Sequence, residues 1–224
     1  MSLRLEPSVA VREGRLTRLL AERGLSAGDA GLARIVEDAE LVGSLELAGL
    51  PVSWDDARAA TPPPQLQALR RARAVVPAAD RFTLAAVRAW HEALAGPVGF
   101  RRREAAGAPP EFIEDRLASL AEWLDAKGAA TLAAEQKSAV ALARIVEIRP
   151  FDEANGRVAR LAAAHVLRRA GLQPPILVGG DGPRLQAALE AAHRLETGPL
   201  VDLVREASGR ALDVMIQSLE RGLL

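Results

Sequence analysis

Residues 148–160 read Ile-Arg-Pro-Phe-Asp-Glu-Ala-Asn-Gly-Arg-Val-Ala-Arg, and they lead into Leu-Ala-Ala-Ala-His-Val-Leu at 161–167. The second run would be apolar nearly all round a helix, which is typical of a helix in the middle of a bundle. Pro150 breaks the helical pattern that precedes it. The segment therefore predicts a loop that leads into the N-terminus of a buried central helix.

The apolar spacing is helical along most of the rest of the chain. Apolar residues recur at three- and four-residue steps in stripes within 32–42, 113–124, 139–146 and 200–211. Alternating β-branched runs bounded by turns are lacking. Breaks rich in proline and glycine divide the chain into eight to ten helices. We therefore predict an all-α protein.

The organisation of the chain predicts one domain with short additions at its ends. We expect an N-terminal extension over residues 1–30, a main domain over 31–205, and a C-terminal helix over 206–224 that packs on the same domain. None of the breaks is long enough to be an interdomain linker. A chain of 224 residues can bury roughly 70% of the surface that it exposes when unfolded.

Composition excludes several classes of protein. The chain has 29 Lys+Arg and 29 Asp+Glu, so it has no net charge to attract nucleic acid or an anionic membrane. It has no cysteine, which excludes a disulfide framework and thiolate zinc sites. No apolar run approaches the roughly 20 residues of a membrane-spanning helix, and there is no apolar signal core at the start. We expect a cytoplasmic protein.

The loop before the central helix has the residues of an anion site. Asn155 can cap the helix, Gly156 allows a positive φ or a close approach, and consecutive N–H groups can form a nest for an anion. An isolated Asn-Gly-Arg would more simply be a capped helix with solvent-facing arginines, but the longer string is more specific. The predicted phosphate or nucleotide site comprises Arg149, Ala154, Asn155, Gly156, Arg157 and Arg160.

Two further features of this segment concern charge. Arg157 and Arg160 are three residues apart, so they lie on neighbouring positions of the first turn and can clamp one polyphosphate. Glu153 is placed where a carboxylate can hold Mg²⁺ that bridges phosphate oxygens. Arginine richness alone does not indicate phosphate binding here, because 27 of the 29 basic residues are arginine and only Lys127 and Lys137 are lysine.

The whole string resembles the motif of the Fic family, His-Pro-Phe-x-(Asp/Glu)-Gly-Asn-Gly-Arg-x-x-Arg. The positions that match are Pro150, Phe151, Glu153, Asn155, Gly156, Arg157 and Arg160, while Ala154 replaces the first glycine. The resemblance, weaker outside the motif, extends from about Leu32 to Leu203. It implies an all-helical Fic-like bundle around the central helix, and an activity that transfers AMP from ATP to a hydroxyl of a target.

Arg149 stands at the position of the family's catalytic histidine. In the family that imidazole takes the proton from the attacking hydroxyl, which needs a pKa near the operating pH. Arginine cannot act in this way, because its guanidinium stays protonated and has no acceptor lone pair. Loss of a positioned base typically lowers the rate about 10²–10⁴-fold. We expect His91, His165 and His193 to be structural rather than substitute bases.

Residues 44–49 resemble the family's inhibitory helix, in which a glutamate pairs with the last arginine of the motif. Here Ser44 and Gly49 match, but Ala48 replaces the glutamate. Glu46 is two positions away, about 200° round a helix, and we do not expect it to reach Arg160. The alternative is that 44–49 is an ordinary helix end with Gly49 as its C-cap.

The segment that resembles the family's target-binding flap is short. Gly99-Phe100-Arg101 resembles its entrance, and only the seven residues 102–108 precede Pro109. We therefore expect a shortened flap that barely allows a β-hairpin, with 101–104 as a solvated charge run or a small basic rim. The chain has no tyrosine, and Leu185 occupies the place of the aromatic residue that often flanks the adenine.

These observations predict a Fic-fold protein that binds ATP or another phosphorylated small molecule, with AMP transfer absent or severely impaired. Mg²⁺ can accompany the nucleotide, and no organic cofactor is implied. One alternative is an active nucleotidyl- or phosphotransferase that uses an already anionic acceptor or another base. A second is a non-catalytic protein-interaction module. A protein partner or a homo-oligomer is compatible with each, and neither nucleic acid nor membrane is an expected partner.

Overall fold

The computed structural model describes residues 9–26 and 28–223. In this part of the chain there are ten α-helices and three 3₁₀ turns, and no β-strand. The helices are α1 (Val9–Arg23), α2 (Ala30–Glu46), α3 (Trp54–Arg58), α4 (Pro64–Val75), α5 (Leu84–Ala95), α6 (Ile113–Asp125), α7 (Ala134–Ile148), α8 (Asn155–Arg169), α9 (Gly182–His193) and α10 (Gly198–Arg221). The 3₁₀ turns cover Pro110–Phe112, Lys127–Thr131 and Gly179–Asp181. The predicted all-α class is confirmed.

The centre of the bundle is α8. It packs most extensively on α7 and also contacts α5 and α2. Its side chains are buried on several faces, including Leu161, Ala162, Ala163 and Leu167, as the apolar run predicted. None of the helices in the described ranges has both the length and the hydrophobicity to span a membrane.

The apolar core has two parts. The main cluster surrounds α8, and a smaller cluster joins α1 to the start of α2 and the C-terminal half of α10 through residues such as Leu20, Leu32 and Leu219. Because α10 is one continuous helix from Gly198 to Arg221, the expected boundary between residues 205 and 206 falls inside it. Residues 1–8 and 27 of the expected N-terminal extension lie outside the described residues.

The C-terminal half of α2 lies very close to the chain that follows α8. A Cβ atom on Gly43 would be 2.0 Å from the carbonyl oxygen of Leu177, so only glycine permits this approach. The helix then ends in a Schellman arrangement, in which the Leu50 N–H donates to the Leu45 carbonyl and Gly49 has φ +71°. This packing holds the end of α2 beside the N-terminal half of α8.

Candidate functional site

The loop between α7 and α8 is held by two residues in the left-handed region. Arg149 ends α7 with φ 48° and ψ 63°, and Ala154 precedes α8 with φ 62° and ψ 5°. Between them, the Phe151 side chain is buried and 2% exposed. Asn155 Oδ1 accepts the Phe151 N–H at 3.0 Å, and Asn155 Nδ2 donates to the Phe151 carbonyl at 2.7 Å. The Asn155 side chain therefore ties the end of the loop to the backbone of Phe151.

Asn155 does not cap α8, contrary to the sequence-based expectation. It is the first residue of the helix, Ala154 occupies the cap position, and the Asn155 side chain is used by the loop. The first bond of the helix runs from the Val158 N–H to the Ala154 carbonyl at 3.0 Å. Within the described part of the chain, the N–H groups of residues 155–157 have no hydrogen-bond acceptor. The N-terminus of α8 thus presents free donors and a partial positive charge.

Gly156 makes room for the Arg160 guanidinium because it lacks a side chain, and it does not adopt a positive φ. It is absent from the residues with positive φ. A Cβ atom at this position would lie 3.3 Å from Nη1 of Arg160. The guanidinium of Arg160 therefore lies against the first turn of α8, and a larger residue at position 156 would crowd it.

Arg160 is mostly buried and is held by neutral acceptors. Its Nε donates to the Ser44 hydroxyl at 2.8 Å and its Nη2 to the Ser44 carbonyl at 2.7 Å. Among the described residues no carboxylate pairs with it. Burial, followed by the nearby positive charge of Arg157, lowers the pKa of Arg160 to about 10. A cation shielded from water without a counter-charge is a place where an anion would be stabilised.

The other charged side chains of the predicted site are placed differently. Arg157 is mostly buried, and Arg149 and Glu153 are exposed. None of the three has an ion-pair partner within residues 9–26 and 28–223. These residues also contain no group of three or more His, Cys, Asp and Glu side chains that could hold a metal ion. One carboxylate completed by phosphate oxygens is nevertheless a usual magnesium arrangement, so Glu153 fits a nucleotide-bound Mg²⁺.

Only Ser44 of the three positions assigned to the inhibitory helix contacts Arg160. Ala48 is exposed, and Gly49 lies in the Schellman turn. The Glu46 carboxylate is directed elsewhere and accepts the Gly179 N–H at 2.9 Å. The space behind Arg160, toward Glu40, is about 10 Å³, enough for about one water. That side of Arg160 therefore has no room for a ligand.

The short flap has no strand and is fastened to the motif loop. The Arg101 N–H donates to the Pro150 carbonyl at 2.9 Å, and the Ala108 N–H donates to the Ile148 carbonyl at 3.1 Å. At Gly107, with φ +115°, a Cβ atom would be 2.7 Å from the Ile148 carbonyl oxygen. The flap therefore follows the motif loop closely without forming a hairpin.

Arg101 corrects the expectation that residues 101–104 form a solvated run or a rim. The Arg101 side chain is only 3% exposed. Its Nε donates to the Arg149 carbonyl at 2.7 Å, its Nη1 to the Arg103 carbonyl at 2.9 Å, and its Nη2 to the Ala108 carbonyl. The carbonyl of Arg149, in its left-handed conformation, accepts a hydrogen bond from this buried guanidinium. Three adjacent arginines carry no local signal of this role, since only the fold makes one differ from the others.

Of the three histidines, His91 lies beside the motif loop, where Glu153 and Arg157 affect its pKa. The His91 ring stacks on the Phe151 ring with centroids 3.7 Å apart and an interplanar angle of 8°. Burial, the largest effect, lowers the pKa of His91 although Glu153 raises it. His165 is fully buried and His193 is exposed. Leu185, expected near a nucleotide base, is 8% exposed and belongs to the main core.

Comparison with known proteins supports the resemblance. Residues 81–167 match the model of the Fic/DOC family. The chain is 27% identical over 111 residues to the protein adenylyltransferase fic-1 of Caenorhabditis elegans, a match that covers 50% of this chain and 22% of the relative. It is 36% identical over 103 residues to a uridine 5'-monophosphate transferase of Xanthomonas campestris pv. campestris (strain 8004), covering 42% of this chain and 18% of that protein. The chain thus spans about a fifth of the length of these relatives.

The fold has solved counterparts. A Fic domain containing signaling protein from Bacteroides thetaiotaomicron superposes with a TM-score of 0.72 at 16% identity, covering 95% of this chain and 97% of that one. At this identity the match concerns the fold alone. The match covers nearly the whole of both chains, so the helical arrangement around α8 is shared well beyond the motif.

Proposed function

We propose that this chain, in which residues 81–167 match the model of the Fic/DOC family, binds the polyphosphate of a nucleotide, ATP in the first place, at the N-terminus of α8. The observation that carries the proposal is the environment of Arg160. This guanidinium is mostly buried, has no carboxylate partner among the described residues, and lies beside Arg157 and the free amides of α8. An anion at this position would compensate both arginines.

Each group of the site would have a distinct part in binding. The N–H groups of residues 155–157 would donate to phosphate oxygens, and Arg157 and the Nη1 atom of Arg160 would neutralise their charge. Arg149, exposed at the edge, would add positive charge. Glu153 would hold Mg²⁺ together with phosphate oxygens, and the ion would supply further neutralisation of the polyphosphate.

The same site is proposed to be inactive or severely impaired in AMP transfer. The transfer needs a group that takes a proton from the attacking hydroxyl, and Arg149 has no lone pair to accept it. His91 is 2% exposed and stacked on Phe151, which closes its ring to an attacking hydroxyl, and His165 lies ten residues, about 15 Å, along α8 from its N-terminus. The protein would therefore act by binding the nucleotide.

The test is thermal unfolding in phosphate-free buffer with Mg-ATP, Mg-UTP and pyrophosphate. A ligand at about 100 times its Kd should add about 2.7 kcal/mol of stability. Arg157→Ala should remove most of this gain, and Arg102→Ala, which changes an exposed arginine of the flap, should keep it. Stronger stabilisation by UTP than by ATP would assign the site to a uridine nucleotide and leave the proposed phosphate contacts unchanged. No stabilisation by any of the three, or an unchanged gain in Arg157→Ala, would refute the proposal.

A second candidate is an active transferase with an anionic acceptor. It is favoured by the exposure of Arg149 and by a cleft of about 930 Å³ between the flap, α5 and α6, whose lining includes Arg88, Arg102 and Asp152. A carboxylate or phosphate acceptor needs no base, and Arg149 would then stabilise the charge of the transferring group. In that case the native protein transfers labelled nucleotide to acetate or phosphate, and Arg149→Ala lowers the rate. If no label is transferred, this candidate is excluded.

A further inference from the structure

A second polar cavity lies at the other end of α8, about 20 Å along the helix axis from its N-terminus at about 1.5 Å per residue. Its volume is about 240 Å³, and its walls include Phe82, Leu124, Asp125, Lys137, His165 and Arg169. It shares no residue with the phosphate site. Whatever it binds is therefore independent of the nucleotide proposal.

His165 lines this cavity and has a hydrogen-bond acceptor that no described residue uses. The residue is 0% exposed, and burial, followed by the positive charge of Arg168, lowers its pKa, so the ring is neutral near pH 7. Its Nε2 is 3.1 Å from the Asp80 carbonyl oxygen. Because a carbonyl can only accept, Nε2 holds the proton and Nδ1 has the lone pair. Nδ1 is buried and has no hydrogen-bond partner among the described residues, a state that ordinarily costs stability.

The charges of the cavity do not balance. Arg169 pairs with Asp125 at 2.7 Å. Lys137 is half-buried and has no carboxylate or hydrogen-bond acceptor within the part of the chain that the structure describes. The cavity thus holds one positive charge without a counter-charge. Phe82 and Leu124 are buried apolar side chains in the same wall.

We propose that this cavity binds a small organic anion, a carboxylate on an apolar body that also has one hydroxyl or amine donor. The carboxylate contacts Lys137, the donor hydrogen-bonds to Nδ1 of His165, and the apolar body packs on Phe82 and Leu124. A volume of about 240 Å³ equals the share of roughly eight waters in the liquid, at about 30 Å³ each. This size suits a ligand with a single ring.

The first experiment is calorimetric titration of the whole chain with 3-hydroxybenzoate. A ligand of this size is expected to bind with a Kd on the order of 1 mM. Two relatives of the probe test the two polar contacts without any change to the protein. 3-Hydroxybenzyl alcohol, which lacks the carboxylate, should bind at least tenfold more weakly, and benzoate, which lacks the hydroxyl, should bind several-fold more weakly.

Matched variants then locate the site. Lys137→Met should weaken binding of 3-hydroxybenzoate at least tenfold. Lys127→Met changes the other lysine of the chain, which is exposed and outside the cavity lining, and should leave binding unchanged. Saturating pyrophosphate and the Arg157→Ala variant should also leave it unchanged, so failure here is distinguishable from failure of the nucleotide proposal.

Three results of these titrations would overturn the proposal, and a fourth follows from the comparison of the probes. They are no saturable heat up to about 20 mM probe, undiminished affinity in Lys137→Met, and displacement of the probe by pyrophosphate. If Lys137→Met does not fold, as judged by its helical circular dichroism, the three probes on the native protein still decide. Equal affinities for 3-hydroxybenzoate and benzoate would show that the hydroxyl makes no contact with His165, and this would refute the proposal.

Discussion

Arg160 donates two hydrogen bonds to Ser44, one from Nε to the hydroxyl at 2.8 Å and one from Nη2 to the carbonyl at 2.7 Å. These bonds join the second turn of α8 to the last turn of α2. Both acceptors are neutral, so they orient the guanidinium without compensating its charge. The charge of Arg160 is consequently available to an anion that approaches from the N-terminus of α8.

Ser44→Ala tests whether Ser44 only orients the guanidinium of Arg160 or itself contributes to the binding of an anion. The variant loses one hydrogen bond and keeps the carbonyl, so the free energy of unfolding should fall by about 1 kcal/mol. Affinity for pyrophosphate should stay within about threefold, because no charge is removed. Urea unfolding and calorimetry measure the two quantities.

The control for Ser44→Ala is Ser208→Ala. The Ser208 hydroxyl donates to the Val204 carbonyl within α10, and loss of such a bond should change stability little. If Ser44→Ala lowers pyrophosphate affinity tenfold or more while Ser208→Ala does not, Ser44 is itself part of the anion site.

Ala154→Gly should stabilise the protein. Ala154 has φ 62°, and the left-handed region costs an L-residue roughly 1–2 kcal/mol relative to glycine. Ala133→Gly is the matched change, since Ala133 also precedes a helix but has φ −60°. Denaturant unfolding should give Ala154→Gly an advantage of about 1 kcal/mol over Ala133→Gly. Equal effects of the two substitutions would show that the backbone at position 154 is not under this constraint.

Arg101→Lys should loosen the flap and the motif loop together. A lysine keeps the charge but cannot donate to the carbonyls of Arg149, Arg103 and Ala108 at once. We expect a loss of about 2–4 kcal/mol of unfolding free energy, with faster amide hydrogen exchange in residues 148–152. Arg102→Lys, at an exposed position, is the control and should behave as the native chain. Comparable behaviour of the two variants would contradict the role assigned to Arg101.

The helical class and the central helix followed from the sequence because their signal is local. Side chains at three- and four-residue steps share one face whatever the rest of the fold does, and the buried stripe of α6 matches the predicted positions. The left-handed conformation of Ala154 also gives a reason for the glycine that the family motif has there.

Features that depend on contacts between distant segments could not be predicted in this way. The sequence does not distinguish Arg101 from Arg102, yet one is buried under the motif loop and the other is exposed. Asn155 was expected to cap α8, but the loop uses its side chain at Phe151. A local pattern identifies the groups that can form hydrogen bonds, and the fold selects which of them meet.

The stability of the protein should decrease as the pH falls from about 7 to about 5. Burial lowers the pKa values of His91 and His165 below the ordinary value of 6.5. In the window between each lowered pKa and 6.5 the unfolded chain binds more protons than the folded one, so stability is complete above this window and is lost as the pH falls through it. Each unit of pKa difference corresponds to about 1.4 kcal/mol.

Urea unfolding at pH 5.0, 6.0 and 7.5 measures this loss. His91→Gln should reduce the slope of stability against pH, because one titrating group is removed. His193→Gln, which changes an exposed histidine, should keep the native slope. A flat profile in the native protein would contradict the burial of both rings as neutral groups.

Arg149→His is the decisive substitution for the chemistry of the site. Position 149 has φ 48° and ψ 63°, and histidine is among the residues that adopt this region most readily. The variant would add a proton acceptor beside the free end of α8 and keep the loop conformation. If the rest of the site is competent, transfer of labelled AMP to the protein itself or to lysate proteins should rise about 10²–10⁴-fold above the native level.

The double variant Arg149→His with Arg157→Ala separates recovered catalysis from incidental labelling. It should lose the gained activity, because the new base acts only on a nucleotide held at α8. Strong self-labelling by the native protein would show that arginine at 149 does not prevent transfer. A silent Arg149→His that still binds Mg-ATP would instead place the defect in the flap, where the ten residues 99–108 form no strand and offer a target no backbone ladder to extend.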